Sequence, residues 1–157
     1  MSKYYLLQSL VEHPEILRMK LYKQHHNTST YQHVIHVALF SCWLAKRFRW
    51  NVNQHALIRG AILHDYYLYD IEAEGFSAWK HGTRHAKVAL ELADEKFCLS
   101  KLEKDIIYSH MWPLNITHVP KSKEAFIVCM ADKWCAVKEI FMWRKENAYR
   151  KRKNADQ

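Results

Sequence analysis

Apolar residues recur at three- and four-residue intervals over long stretches of the chain, the period of helices buried along one face. A first helix or pair of helices is expected over about residues 3–20, with Pro14 near the start of its second part. A helix over about 30–48 aligns His33 with Val37, Phe40 and Leu44. Asn53 can cap the next helix, whose run Ala56-Leu57-Ile58-Arg59-Gly60-Ala61-Ile62-Leu63 closes on His64-Asp65. A helix beginning near Gly82 lines up His85 with Val88, Ala89 and Leu92. Ser100-Lys101-Leu102-Glu103 is a capping box opening the helix in which Ile106 and Ile107 lie one turn before His110. A long pattern from 122 to about 143 carries Val128, Asp132 and Cys135 up one side. The polar stretch 24–30 reads as a loop whose hydroxyls cap the following helix, with His25 and His26 solvated. Residues 70–79 form the longest irregular joint, placed to act as a lid beside the site.

With 157 residues, 49% of them hydrophobic, one domain with a sizeable core is expected. Three glycines and three prolines leave little punctuation for β-turns. The expected fold is all-α, a single-domain bundle of about six or seven helices over residues 1–143, followed by a basic tail, 144–157.

Six groups sit where polar side chains are expensive. His33, His64, His85 and His110 fall on apolar helical faces, and Asp65 and Asp132 bring carboxylates among core positions. A single buried imidazole is ordinarily satisfied by a backbone carbonyl. An unpaired buried carboxylate costs several kcal/mol or protonates, so a cation is its natural partner. Four imidazoles and two carboxylates make a borderline donor set, suited to divalent iron, manganese, zinc, cobalt or nickel rather than calcium. Cys129 and Cys135 flank Asp132 but project on different faces, and with Cys42 they read as small core residues. No Cys-x-x-Cys spacing occurs, which points to a reducing compartment.

The motifs Tyr31-Gln32-His33-Val34-Ile35-His36-Val37-Ala38, Leu63-His64-Asp65, His85, His110 and Ala131-Asp132-Lys133 together resemble the ordered signature of the HD-domain metal-dependent phosphohydrolase superfamily, over about residues 31–138. The resemblance implies that His33, His64, Asp65 and Asp132 hold one ion. It implies that Asp65 bridges to a second held by His85 and His110. Many members follow the His-Asp pair with Gly-Lys, whose Lys reaches a substrate phosphate. Here Tyr66-Tyr67-Leu68-Tyr69-Asp70 follows, so phosphate recognition must come from elsewhere or be absent.

The chemistry that fits is hydrolysis of a phosphate ester or anhydride by a hydroxide that one or two divalent ions generate from water, with His64 and Asp65 at the reacting centre. Arg84, Lys87 and Lys133 are the cations nearest in sequence to proposed ligands and are the candidate phosphate contacts. His81 and His36, each one turn from a ligand, are candidates to support ligands or substrate. Tyr66, Tyr67, Tyr69, Phe76 and Trp79 offer rings on which a base could stack, or close the core. A nucleotide or dinucleoside polyphosphate is the expected substrate. Two other readings stand beside it: a one-metal nucleotidase, and a non-catalytic binding module stabilised by metal.

The chain carries 24 basic and 16 acidic residues, a net charge of +8. Half of that excess lies in 144–157, where six cations face Glu146 and Asp156. No compact nucleic-acid motif accompanies this run, so the remaining field is read as steering a small phosphorylated substrate, and nucleic acid is not an expected partner. A homo-oligomer is compatible with the composition. No apolar run approaches the roughly 20 residues of a membrane span, and none near the start resembles a signal peptide. The expected location is cytoplasmic.

Overall fold

The structure, a computed structural model, describes residues 3–25, 28–66 and 78–155. Seven α-helices run through them: α1 (Lys3–Val11), α2 (Pro14–Arg18), α3 (Thr30–Arg47), α4 (Gln54–Leu63), α5 (Ala78–Phe97), α6 (Lys101–Ser109) and α7 (Lys123–Ala155), with a 3-10 turn, Met19–Leu21, after α2. The all-α expectation holds. Among the described residues no helix is long and apolar enough to cross a membrane. The joint at 70–77 lies outside the described residues, and α5 starts at Ala78, about a turn earlier than the apolar stripe suggests.

The capping signals fold as the sequence implies. Ser29 and Gln32 form a reciprocal capping box on α3, Ser100 and Glu103 one on α6, and Asn53 accepts from the Ala56 N–H at the start of α4. Stretch 24–30 departs from the expected loop. β1 (Lys23–His25) and β2 (Thr28–Ser29) pair antiparallel, Lys23 against Ser29. So short a ribbon has no alternating apolar face to mark it in the sequence. It is fixed from outside, by the N–H of Thr30 donating to the Tyr22 carbonyl at 2.9 Å.

Helix α4 is the centre of the bundle. Seven of its ten residues are buried, and it packs against α1, α3, α6 and α7, as a helix apolar on nearly all sides must. It is pinned at its start and at its middle. Glu124 at the start of α7 accepts from the Asn53 N–H at 2.6 Å, and Arg59 is ion-paired with buried Glu103 of α6 at 2.6 Å. Helices α3 and α7 run antiparallel along its flank, as the pairs His36–Glu139, Phe40–Trp134 and Trp50–Phe126 show. Helix α7 does not stop near residue 143 but continues to Ala155. Its last third lacks glycine and proline and is rich in Lys and Arg, so it propagates the helix with its basic residues at the favourable end of the dipole.

One close approach sets the spacing of the site. A Cβ on Gly60 would stand 2.7 Å from the Ile106 side chain, so α4 and α6 touch where only glycine fits. His64 and His110 follow these two residues by one helical turn. Gly60→Ala is therefore expected to destabilise the protein by about 1–3 kcal/mol through overpacking and to weaken metal binding by separating the two rings. Denaturant unfolding and metal titration measure both; unchanged values would mean that Ile106 simply shifts aside.

Candidate metal centre

Helix ends aim two of the histidines. His64 and His110 are the C-cap residues of α4 and α6, where carbonyls lack helical partners. Each Nδ1–H donates back to the carbonyl three residues earlier, Ala61 at 2.8 Å and Ile107 at 2.6 Å. A carbonyl can only accept, so the proton belongs on Nδ1 and each Nε2 is turned inward. Among the described residues these buried Nε2 atoms make no well-formed hydrogen bond and face only carboxylate oxygens. His33, on the buried face of α3, directs Nε2 to Asp132 Oδ1 and Nδ1 to Glu139 Oε2, each at 3.0 Å. His85 reaches in from α5, its Nε2 2.5 Å from Asp65 Oδ1.

Asp65 divides the cluster. Its Oδ1 faces His85 and His110, whose Nε2 atoms lie at 2.5 and 3.3 Å. Its Oδ2 faces the Nε2 atoms of His64 and His33, at 3.4 and 3.8 Å. Asp132 Oδ1 completes the second side, 3.0 Å from His33 and 3.6 Å from His64. Two groups result, His33-His64-Asp65-Asp132 and Asp65-His85-His110, each with its ligand atoms within 4.8 Å of one another. Asp65 is common to both.

The electrostatics favour a cation here. Burial pushes His33 and His64 down, but the adjacent carboxylates outweigh it and raise them to about 9 and about 10. Burial likewise opposes ionisation of Asp65 and Asp132, yet the surrounding imidazoles hold both carboxyls well below their ordinary range. His110 is lowered, burial being its largest influence. Without an ion, protons on His33 and His64 would supply the positive charge that a metal brings. Neutral imidazoles with inward Nε2 atoms and ionised carboxylates suit a divalent transition metal.

These shifts fix the sign of a pH effect. Groups whose folded values are raised stabilise fully below their unfolded value, here 6.5, and that stabilisation is lost as pH climbs through the folded values. The metal-free protein should therefore hold its melting temperature up to about pH 6.5 and lose stability toward pH 10. At the acid end, the depressed carboxylates lose their contribution as pH falls below about 3.9. Metal binding needs deprotonated imidazoles and should strengthen with pH. Calorimetry of metal-stripped protein checks this; a flat profile from pH 6.5 to 10 would rule out a protonated cluster.

A family model described as HD domain matches residues 30–136, about two thirds of the chain. The chain belongs to the HD-domain family. No curated protein and no solved structure matches it. The superfamily is one of metal-dependent phosphohydrolases, and in this HD domain the signature His, the His-Asp pair and the final Asp converge from α3, the end of α4 and α7.

The other sequence candidates are scattered. Lys133 Nζ is engaged by the carbonyls of His110 and Cys129, at 2.7 and 3.2 Å, so it ties the end of α6 to α7 beside the cluster. Lys87 is exposed and pairs with Glu91, and Arg84 is exposed on the same helix. The side chains of Trp79 and His81, together with Tyr67, Tyr69 and Phe76, lie outside the described residues. Tyr66 is no stacking platform: it is buried, edge-on to Phe97, with its hydroxyl donating to Glu15 at 2.8 Å. Just past the end of buried α4, its ring closes the core while its hydroxyl reaches Glu15. Cys129 donates its thiol to the Trp112 carbonyl, and burial raises Cys129 and pushes Cys135 up to about 12, so neither supplies a thiolate.

Two residues join the site without having been expected there. Glu139 is buried and accepts from His33 through one oxygen and from His36 through the other, both at 3.0 Å. Gln24 of β1 donates to Asp65 Oδ2 and accepts from the Thr30 hydroxyl. Glu139 lies seven residues after Asp132, two helical turns along the same face, which is a readable signal. Gln24 reaches across a ribbon 41 residues away from Asp65 in sequence, and nothing local announces it.

Proposed function

We propose that this HD domain is a two-metal phosphohydrolase that cleaves a phosphate ester or anhydride, with nucleotides or dinucleoside polyphosphates as its substrates. The observation that carries the reading is the division of Asp65, one oxygen toward His33 and His64 and the other toward His85 and His110. A carboxylate so placed can bridge two ions. His33, His64, Asp65 and Asp132 would hold one, and Asp65, His85 and His110 the other. Iron, manganese, zinc, cobalt or nickel bound there would activate water and neutralise phosphoryl charge.

The protein's own contribution is arrangement. The carbonyls of Ala61 and Ile107 and the carboxylate of Glu139 fix which nitrogen of three imidazoles faces inward. Asp65 and Asp132, ionised at neutral pH, present acceptor oxygens that can orient a water for in-line attack. The nucleotide preference rests on the aromatic residues that follow the His-Asp pair in sequence, since binding energy from a base can position the phosphoryl group.

Metal content per chain and turnover of a phosphoester panel test the proposal. Metal-replete wild type should carry two ions, the paired change His85→Ala and His110→Ala about half as much metal, and nucleotide phosphates should turn over faster than phosphoserine. A stoichiometry of one favours the one-metal nucleotidase. Two ions without turnover of any phosphoester would leave a metal-stabilised binding module.

A further inference from the structure

Outside the metal site, the most unusual feature of the surface is an apolar face shared by α3 and α7. Phe126, Met130, Trp134, Val137 and Phe141 follow one another along α7 at spacings of four, four, three and four residues, and all are exposed. Leu39 and Trp43 of α3 and Met142 of α7 extend the stripe across a groove of about 470 Å³, with Phe40 stacked between Trp43 and Trp134. Trp50 carries it to Phe126 at the other end.

Its size separates it from ordinary surface scatter. Leaving aside Phe40 and Trp50, the eight residues of this face are between 41% and 68% exposed. The four aromatic residues among them offer roughly 150–250 Å² each and the four aliphatic ones somewhat less, so about half of each leaves on the order of 800 Å² of largely apolar surface. That exceeds the largest patch of a typical monomer, about 300–600 Å². It equals the share of about 800 Å² that each partner contributes to a standard interface.

We propose that this face is the interface of a homodimer, in which α7 packs antiparallel against α7 of a second copy. The 4-3-4 spacing from Met130 to Phe141 is the seam of a helix facing another helix. It is also self-complementary about the level of Cys135 and Ala136. An axis there sets Trp134 against Val137 of the second copy and Met130 against Phe141. Lys145 then lies beside Phe126 of the second copy, where a cation over an aromatic face is favourable. The length of α7 past residue 143 gains a use, since residues 144–148 would lie against the first five residues of the neighbour's α7 and the rest would run on past its start.

Sedimentation equilibrium of the metal-loaded chain across the micromolar range should give twice the monomer mass. Trp134→Glu and Val137→Glu should each weaken association by about thirtyfold or more, as loss of a central anchor does, with helical content and metal content unchanged. Leu21→Glu, on an exposed residue elsewhere, should leave the dimer intact. Mixing Trp134→Lys with Val137→Glu should restore a heterodimer that neither forms alone, a result that misfolding cannot imitate. A wild type that stays monomeric overturns the proposal, as does one that binds anionic vesicles or a single-stranded oligonucleotide through this face instead. Folded Trp134→Glu and Val137→Glu variants that remain dimeric overturn it equally.

Discussion

Asp65→Ala is expected to purify with almost no transition metal, to lack the proposed phosphohydrolysis, and to show no thermal stabilisation when metal is added. The wild-type protein, at a free metal concentration about a thousand times its dissociation constant, should gain about 4 kcal/mol of stability, on the order of 10 °C in melting temperature for a chain of this length. The expectation is so large because Asp65 belongs to both groups of candidate ligands and its two oxygens are not interchangeable. Loss of His85 and His110 leaves four candidate ligands on the other side, and loss of Asp132 leaves the second group complete. Loss of Asp65 alone removes a donor from each. It also removes the carboxylate that is the chief support for a protonated His64, so that support and the metal-free stability it contributes at neutral pH fall as well, while Asp132 and Glu139 still support His33. Elemental analysis and melting curves with and without metal measure the two effects separately. A variant with full metal and an unchanged melting curve would make Asp65 a structural residue and remove the basis for a bridged pair of ions.

The residues of the cluster were legible because each breaks a rule that the rest of its helix keeps. His33, His85, His110 and Asp132 occupy positions that the apolar period reserves for core side chains, and His64-Asp65 ends the most uniformly apolar helix of the chain. A polar group in such a place needs a partner, and six of them in ordered motifs point to one another. Helix starts were legible for a similar reason, since Ser29, Asn53 and Ser100 are chemically suited to satisfy free N–H groups. Features made by contact between distant segments were not. Gln24 reaches Asp65 only because Tyr22 and Thr30 close a ribbon, and neither event leaves a periodic trace. The approach of α4 to α6 depends on Gly60 meeting Ile106, which a single glycine in a helical pattern does not disclose. The full extent of α7 is not legible in the apolar period because its last third lacks an apolar stripe, although its composition favours helix without one.

Glu139→Gln should weaken metal binding by about 10–100-fold, the usual consequence of removing a carboxylate that supports a ligating imidazole. Glu139 holds His33 Nδ1 with one oxygen and His36 Nδ1 with the other, and despite its burial these two imidazoles keep its carboxyl below the ordinary range. Glutamine has nearly the same shape but only one acceptor. If its NH2 faces His33, the Nδ1–H bond is lost and the ring is driven to the tautomer with its proton on Nε2, aimed at Asp132 where an ion would sit. If its oxygen faces His33, the bond survives without its charge and His33 becomes a poorer donor. Both orientations weaken the group that contains His33, while the group of His85 and His110 is reached only through Asp65. Chelator competition should therefore show one class of ion weakened far more than the other. His36→Ala, which leaves the Glu139–His33 contact in place, should change affinity little, although it touches the same carboxylate. A purely structural Glu139 would lower the melting temperature of the metal-free protein and shift both ions equally. Unequal loss in Glu139→Gln, beside near-normal affinity in His36→Ala, is the pattern that only an effect through His33 produces.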